Sequence, residues 1–367
     1  MAASPHRRRW PLKVLVDAYF IDRPYGFGRY VRELVYALDS AGVVELVVAV
    51  PAAGEAVARA HVRRARVVTA PDRFFPIWEQ WVVPRLARRL GCDLVHFPYQ
   101  SMALAWPRAQ SVVTMHDLMF FRVDGSAASS IDRLAHAYRR WIYRLSTRRA
   151  GRVVAVSEST QGELIAQGLD DVAVIPNSCD AFAAAYPELD AVVSPGRYLL
   201  HRGSPGPHKN TRRIAAAFQM LRALHPKVEL VVFGLDRSDP FAAEIEAPGV
   251  RFLGRVSDAQ LAALYRGAAG VVVASTEEGF GLAIIEAFAF GAPVITSDRP
   301  PMSEIAVDAA LLVDPDDTGA IARAMGILLD DERTVQRLRA AGERRRAEYS
   351  SAQVARRMEA VYRSLAA

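Results

Sequence analysis

Gly270-Val-Val-Val-Ala274 is an unbroken apolar run of strand length; the turn Gly279-Phe-Gly281 follows, and then Leu282-Ala-Ile-Ile-Glu286-Ala-Phe-Ala-Phe290. The order reads strand, glycine turn, helix. A strand that is apolar at nearly every position is buried on both faces, as in a parallel sheet covered by helices. Val228-Glu-Leu-Val-Val-Phe233 and Leu12-Lys-Val-Leu-Val-Asp17 read the same way. Along the rest of the chain the spacing predicts strands at 13–18, 45–50, 93–97, 111–115, 153–156 and 172–175, then at 197–201, 228–233, 250–253, 270–274, 293–297 and 310–313. Helical stretches separate them. The predicted fold class is α/β, with two doubly wound domains.

The chain's 367 residues exceed one ordinary core and suit two domains. The turn-rich Pro176-Asn-Ser-Cys-Asp180 and the aperiodic stretch 181–196 mark the seam. Expected domains are 1–180, 181–350 and a last helix in 351–367, whose Val354, Met358, Val361 and Leu365 fall at helical spacing. With 51% hydrophobic and 23% charged residues, the chain is neither disordered, collagenous nor a disulfide scaffold. Cys92 and Cys179 lie too far apart for a metal knuckle, and reduced cytoplasmic surroundings are expected. Residues 1–10 read as a loose basic tail without a signal-type apolar region, and no run is long enough for a spanning helix. Of the net charge of +6, residues 1–180 carry 24 Lys and Arg against 17 Asp and Glu, while 181–367 carry 22 against 23. An anionic partner would therefore meet the first half.

Four places carry chemistry. At Gly279-Phe280-Gly281, glycines admit a ligand close to the backbone, and the turn is read as leading into a helix whose first N–H groups suit a phosphate or sugar oxygen. Glu286 follows among Ile284, Ile285, Ala287 and Phe288; a carboxylate there is costly to bury alone, and a ribose diol would satisfy it. The competing reading is a half-exposed helix glutamate. Second, Lys209 in Gly203-Ser-Pro-Gly-Pro-His-Lys-Asn210 is read as opening a helix, where a cation opposes the helix dipole unless an anion joins it. A solvated surface lysine is the alternative. Third, His116 follows the strand 111–115 at the end where α/β sheets bind ligands; it is placed to bond a sugar hydroxyl or shuttle a proton, or else is an ordinary loop histidine. Fourth, Gly26 and Gly28 in Tyr25-Gly-Phe-Gly-Arg-Tyr30 bring N–H groups forward, but Val31 replaces the third glycine of a dinucleotide fingerprint.

Together these residues resemble the retaining glycosyltransferases of the two-Rossmann GT-B fold, often called family 4. The Glu-x7-Glu motif matches at Glu278 and Glu286, and the family's Gly…Pro-Arg-Lys-Asn segment matches Gly203 to Asn210, with His208 in the arginine's place. Val250-Arg-Phe-Leu-Gly-Arg-Val-Ser-Asp258, Val156-Ser-Glu-Ser159 and Val174-Ile-Pro-Asn177 also fit. The resemblance implies an interdomain cleft and a last helix that crosses back onto the first domain. It implies that Glu286 holds the nucleotide ribose, that Lys209 binds the donor diphosphate, and that Glu278 and the backbone of Gly279, Phe280, Gly281 and Leu282 lie near the transferred sugar and phosphates. His116 would contact the donor sugar, so His116 and Glu278 are the candidate catalytic pair. Ser204 stands where some members place a diphosphate-binding arginine, and Arg202 is the nearby substitute.

The implied activity is transfer of a hexose from a nucleotide sugar to a glycan or lipid-linked acceptor, with no cofactor and no metal. The pattern looks most like bacterial polysaccharide mannosyltransferases, hence GDP-mannose, with a UDP-hexose as runner-up. Other readings are a GT-B sugar-nucleotide epimerase, a glycoside phosphorylase, and a non-enzymatic two-domain sugar-nucleotide-binding protein. A periplasmic binding protein would need a signal peptide, and an oxidoreductase the third fingerprint glycine. A basic aromatic helix near 128–149, with arginines and no acid over 133–152, suggests docking on an anionic membrane at its inner face. No motif for nucleic acid accompanies the charge.

Overall fold

The computed structural model describes residues 11–119, 130–187 and 198–366; in the helix Ser130–Arg149, the side chains of 130–136, 138 and 139 lie outside the description. The chain divides into two compact units, Met1–Ala181 with Ser351–Ala367, and Phe182–Ser350. The first holds β1 (Lys13–Asp17), β2 (Glu45–Pro51), β3 (Arg66–Ala70), β4 (Leu94–Phe97), β5 (Ser111–Met115), β6 (Arg152–Ala155) and β7 (Val172–Val174). Their spatial order is β3-β2-β1-β4-β5-β6-β7, all parallel. The second holds β8 (Tyr198–Arg202), β9 (Glu229–Phe233), β10 (Val250–Gly254), β11 (Gly270–Val273), β12 (Val294–Ser297) and β13 (Ala310–Val313). They run β10-β9-β8-β11-β12-β13, again parallel. These are two doubly wound sheets, each with its strands packed into apolar clusters on the flanking helices.

One strand, β3, was not expected from the spacing. It lies at the sheet edge, pairs only with β2, and its Arg66-Val-Val-Thr-Ala70 is half-buried to exposed, so it lacks the apolar signature of a central strand.

Each sheet reverses its order beside its first strand, at β1/β4 and at β8/β11. Ligands of open α/β sheets bind beyond the carboxyl ends of strands at such reversals, because the loops there diverge to either side and leave a crevice. The pairings Val16↔His96 and Val271↔Leu200 are parallel, so the carboxyl ends of each pair emerge on the same side of the sheet.

The helix Ser351–Ser364 belongs to the first unit. It buries Val354, Met358, Val361 and Tyr362 and packs on the helix Phe27–Ala41. Its entry is held where the Ser351 N–H donates to Asp180 Oδ2 at 2.7 Å. Near its far end the Tyr362 hydroxyl hydrogen-bonds His96 Nδ1 at 2.8 Å.

Candidate active site

In the second unit the loops after the neighbouring strands β8 and β11 converge. Lys209 Nζ donates to Glu278 Oε1 at 2.6 Å and to Oε2 at 2.8 Å, across 69 residues of sequence. Both side chains are mostly buried, 19% and 11% exposed. Ser275 Oγ adds a bond to Glu278 Oε1 at 2.9 Å. Burial pushes the Glu278 carboxyl up, but the Lys209 charge and hydrogen bonds and the Ser275 hydroxyl outweigh it, and the net shift is downward. The Glu278 carboxylate is therefore ionised at neutral pH. An ammonium has three protons, so with two on Glu278 one is left for an incoming acceptor.

The structure corrects one sequence expectation. Lys209 does not open the helix; it ends the short 3₁₀ turn Pro207–Lys209, and the helix begins at Thr211. Asn210 sits between them at φ 58°, and its side-chain amide donates to the carbonyls of Ala274 and Pro315 at 2.9 and 2.6 Å. That left-handed residue, tied to the chain beyond β11, turns the backbone before the helix can start. His201 braces the same junction from beneath, with Nδ1 donating to Val272 O at 2.9 Å and Nε2 bonding Thr211 Oγ1 at 3.1 Å. Burial lowers its pKa to about 4.

The glycine turn leads into the helix Leu282–Ala289, which has no side-chain cap. Gly281, its N-cap, sits at φ 106°, a backbone state that disfavours any side chain. The Ile284 N–H donates to the Gly281 carbonyl at 2.9 Å, and the rest of the first turn, with no side-chain cap, suits an anion. Phe280 contributes backbone alone, since its ring is buried edge-on against Tyr349 at 5.8 Å. Glu286 is buried, and Tyr265 donates to its Oε2 at 2.9 Å. Tyr265 was not singled out in the sequence; it lies 21 residues earlier and stacks on Phe290. Ser204 is engaged in its own turn, its Oγ accepting from Gly206 N at 3.1 Å and its N–H reaching Thr211 Oγ1 at 3.2 Å. Arg202 is half-buried at the end of β8. His208, half-buried, has its pKa lowered by burial and then by the Lys209 charge.

In the first unit, Gly26 and Gly28 shape the loop after β1. A Cβ on Gly28 would lie 2.0 Å from the Arg23 carbonyl oxygen and 2.7 Å from that of Phe20. Arg32, unremarked in the sequence, is buried under this loop and donates to the carbonyls of Ile21, Arg23 and Pro24 at 2.9, 2.7 and 2.8 Å. His116 stands past β5, with Phe27 and Tyr30 edge-on to its ring at 4.9 and 4.5 Å. Its Nε2 donates to Pro98 O at 2.8 Å. Burial lowers its pKa to about 4, so the ring is neutral and Nδ1 is the acceptor nitrogen. Behind it, Tyr30 and His96 both hydrogen-bond Thr114 Oγ1, at 3.0 and 2.8 Å, and His96 continues to Tyr362. Among the described residues, then, Lys209, Glu278 and Ser275 come together in one unit with the Gly279–Gly281 turn and Glu286 nearby in sequence; Gly26, Gly28 and His116 belong to the other.

Among the described residues no helix is long and apolar enough to cross a membrane, and no group of three or more His, Cys, Asp or Glu is gathered for a metal. Of the basic helix, Trp141, Arg144, Arg148 and Arg149 are exposed and Ile142 is buried; Arg133, Tyr138 and Arg139 lie outside the described side chains.

Comparison with known proteins agrees with this architecture. Residues 24–181 match the family model "Glycosyltransferase Family 4", and residues 192–345 match "Glycosyl transferases group 1". The chain belongs to the family-4 type of GT-B glycosyltransferases. It is 29% identical over 266 residues to the glycogen synthase of Mycobacterium tuberculosis, covering 68% of this chain and 62% of that protein's length. It is 35% identical over 224 residues to the phosphatidyl-myo-inositol mannosyltransferase of Mycolicibacterium smegmatis, covering 58% of this chain and 57% of the relative. The Anabaena protein HepE, solved in complex with UDP and glucose, shares the fold with a TM-score of 0.69 at 18% identity, over 96% of this chain and all of its own.

Proposed function

We propose that this protein transfers a hexose, with retention of configuration, from a nucleotide sugar to a glycan or lipid-linked acceptor in the cytoplasm. The observation that carries the reading is the Lys209–Glu278 pair beside an uncapped helix start, with the buried Glu286 farther along the same helix. In this reading the diphosphate takes the third proton of Lys209 and the N–H groups at 279–282, and Glu286, steadied by Tyr265, accepts from the ribose hydroxyls. His116 accepts a hydroxyl of the donor sugar at Nδ1. A ring neutral at pH 7 is better suited to accept a hydrogen bond than to supply a proton. Arg202 and His208 flank the phosphates.

The reaction breaks the bond from the anomeric carbon to the diphosphate, and the electron pair leaves on phosphate oxygen. The acceptor hydroxyl oxygen bonds the same carbon, and its proton passes to the departing diphosphate. Charge grows on the departing oxygen, and an ammonium with preoriented N–H groups stabilises it more in the transition state than in the ground state. This reading assigns that task to Lys209 and the helix start, with no metal.

GDP-mannose is the favoured donor, supported by the likeness to the mycobacterial mannosyltransferase. A UDP-hexose is the second reading, favoured by the fold shared with a protein solved with UDP and glucose. Chromatography of GDP-mannose and UDP-glucose incubations with membrane-extracted acceptors tests both. GDP release with labelled mannose in the acceptor is expected, reduced at least tenfold by Lys209→Ala. Release from UDP-glucose alone moves the donor to the second reading. An epimerised nucleotide sugar, or binding without turnover, rejects transfer.

A further inference from the structure

We propose that the outward face of residues 73–89, in the first unit, docks on an anionic lipid bilayer. The segment is a continuous helical rod, Phe75–Ile77, a wide π-helical turn Trp78–Val82, and Val83–Leu90. Its inner side buries Trp78, Glu79, Val83, Pro84 and Ala87. Its outer side carries Phe74 at 73% exposure, Ile77 at 49% and Trp81 at 75%, and then exposed Arg85 and Arg88. Those positions recur at steps of three and four, so they form one stripe along the rod. Large side chains so exposed and so grouped mark an interaction surface.

The charge identifies the occupant. Arg73, Arg85, Arg88 and Arg89 are exposed and make no ion pair among the described residues, while Arg88 lies over the Trp106 ring. Asp72 is the exposed acid at the edge; Glu79 is inside the rod, bonded by Ser101 and Gln80. Burial raises the Glu79 carboxyl to about 8, which leaves it neutral at pH 7. The face thus presents aromatic and aliphatic groups at one end and uncompensated guanidiniums at the other. A bilayer interface takes that combination, rings at headgroup depth and guanidiniums on lipid phosphates. A groove of about 270 Å³ beside it is lined by Ala70, Trp81, Val82, Leu86, Arg85 and Arg89, an apolar floor with two cations, which fits an acyl chain below a headgroup. A second copy fits poorly, since a two-fold contact would set these arginines against themselves.

The face also adjoins the glycine loop. Phe75 packs on Tyr19 and Phe20 at 5.1 and 4.9 Å, Phe20 stacks on Phe27 at 6.2 Å, and Phe27 touches His116. The Tyr19 hydroxyl donates to Arg73 O at 2.8 Å. Docking here would hold the loop close to the lipid surface, where a lipid-linked acceptor is found.

Co-sedimentation of the full chain with phosphatidylcholine vesicles, with and without one-fifth phosphatidylglycerol, tests the proposal without donor or acceptor, so its failure is separate from that of sugar transfer. Each cation near anionic lipid contributes roughly fivefold in affinity. Binding should need the anionic lipid and fall with salt. Arg85→Glu with Arg88→Glu, and separately Phe74→Ser with Trp81→Ser, should each weaken it at least tenfold, with circular dichroism melts unchanged because these side chains are exposed. Arg144→Glu with Arg148→Glu, on the other basic helix, should change it less than twofold. Equal pelleting with neutral vesicles, no pelleting, loss confined to the 144/148 variant, or a dimer dissolved by Phe74→Ser with Trp81→Ser without any vesicle effect would each overturn it.

Discussion

Lys209 and Glu278 satisfy each other in the structure, and that makes their separate contributions measurable. Lys209→Ala leaves Glu278 mostly buried without its cation and should cost about 1.5–3 kcal/mol of unfolding free energy in urea titrations. Adding Glu278→Gln removes the orphaned charge and should restore most of that stability, yet affinity for a nucleoside diphosphate should stay low. If the double variant regains affinity, the lysine is structural and the phosphate assignment fails. Tyr265→Phe removes one hydrogen bond from Glu286 and should weaken nucleotide-sugar binding about two- to tenfold. Equal affinity in calorimetry would mean that Glu286 needs no positioning. The types of these side chains were legible in the sequence: Glu286 stood out because a carboxylate on an apolar helix demands a partner, and Lys209 because a cation read at a helix start demands an anion. Their partners were not. Tyr265, Asn210 and Arg32 act through contacts across loops and strands, and no local spacing announces such contacts.

Elements were legible where burial dictates composition. Central parallel strands such as β1, β9 and β11 must be apolar on both faces, so the runs betray them. The edge strand β3 escaped because one neighbour and a half-exposed surface impose no such pattern. Helix starts were less legible: Lys209 belongs to a turn because Asn210 is tied to two distant carbonyls. The loop after β1 offers a test at this scale. Gly28→Ala drives a Cβ into two backbone carbonyls and should destabilise by about 1–3 kcal/mol. Gly26→Ala meets no atom within 4 Å, and its cost comes from φ 60° alone, about 1–3 kcal/mol of backbone strain. Both losses should appear in chemical unfolding, but only Gly28→Ala should also raise protease cleavage around 20–24, because the loop itself must move. Cleavage unchanged in Gly28→Ala would contradict that packing account.

At the scale of the molecule, the buried titratable groups set opposing pH trends. Burial lowers His96 to about 3, with the His116 charge adding to it, and lowers His116 and His201 to about 4. The unfolded chain protonates these rings near 6.5, before the folded protein does, so their stability is present above that value and drains as pH falls toward 4. Asp17 and Glu79 run the other way. Burial raises them to about 7 and about 8, so their contribution is full below the ordinary carboxylate range and is lost as pH rises to those values. Glu79→Gln removes one carboxyl from the second set, and its stability relative to wild type should therefore improve by about 2–4 kcal/mol between pH 5 and pH 8. A constant difference across that range would mean that Glu79 is ionised throughout. The central claim is that Lys209, Glu278 and Glu286 form a nucleotide-sugar site in the second unit. Calorimetric titration of wild type and Glu286→Ala with GDP-mannose and UDP-glucose tests it most directly. The account predicts that wild type binds one of the two and that Glu286→Ala binds it roughly 10–150-fold more weakly, from the loss of charge-assisted hydrogen bonds worth about 1.5–3 kcal/mol, while unfolding as cooperatively as wild type. Undiminished affinity in Glu286→Ala, or no heat from either nucleotide sugar, would contradict it.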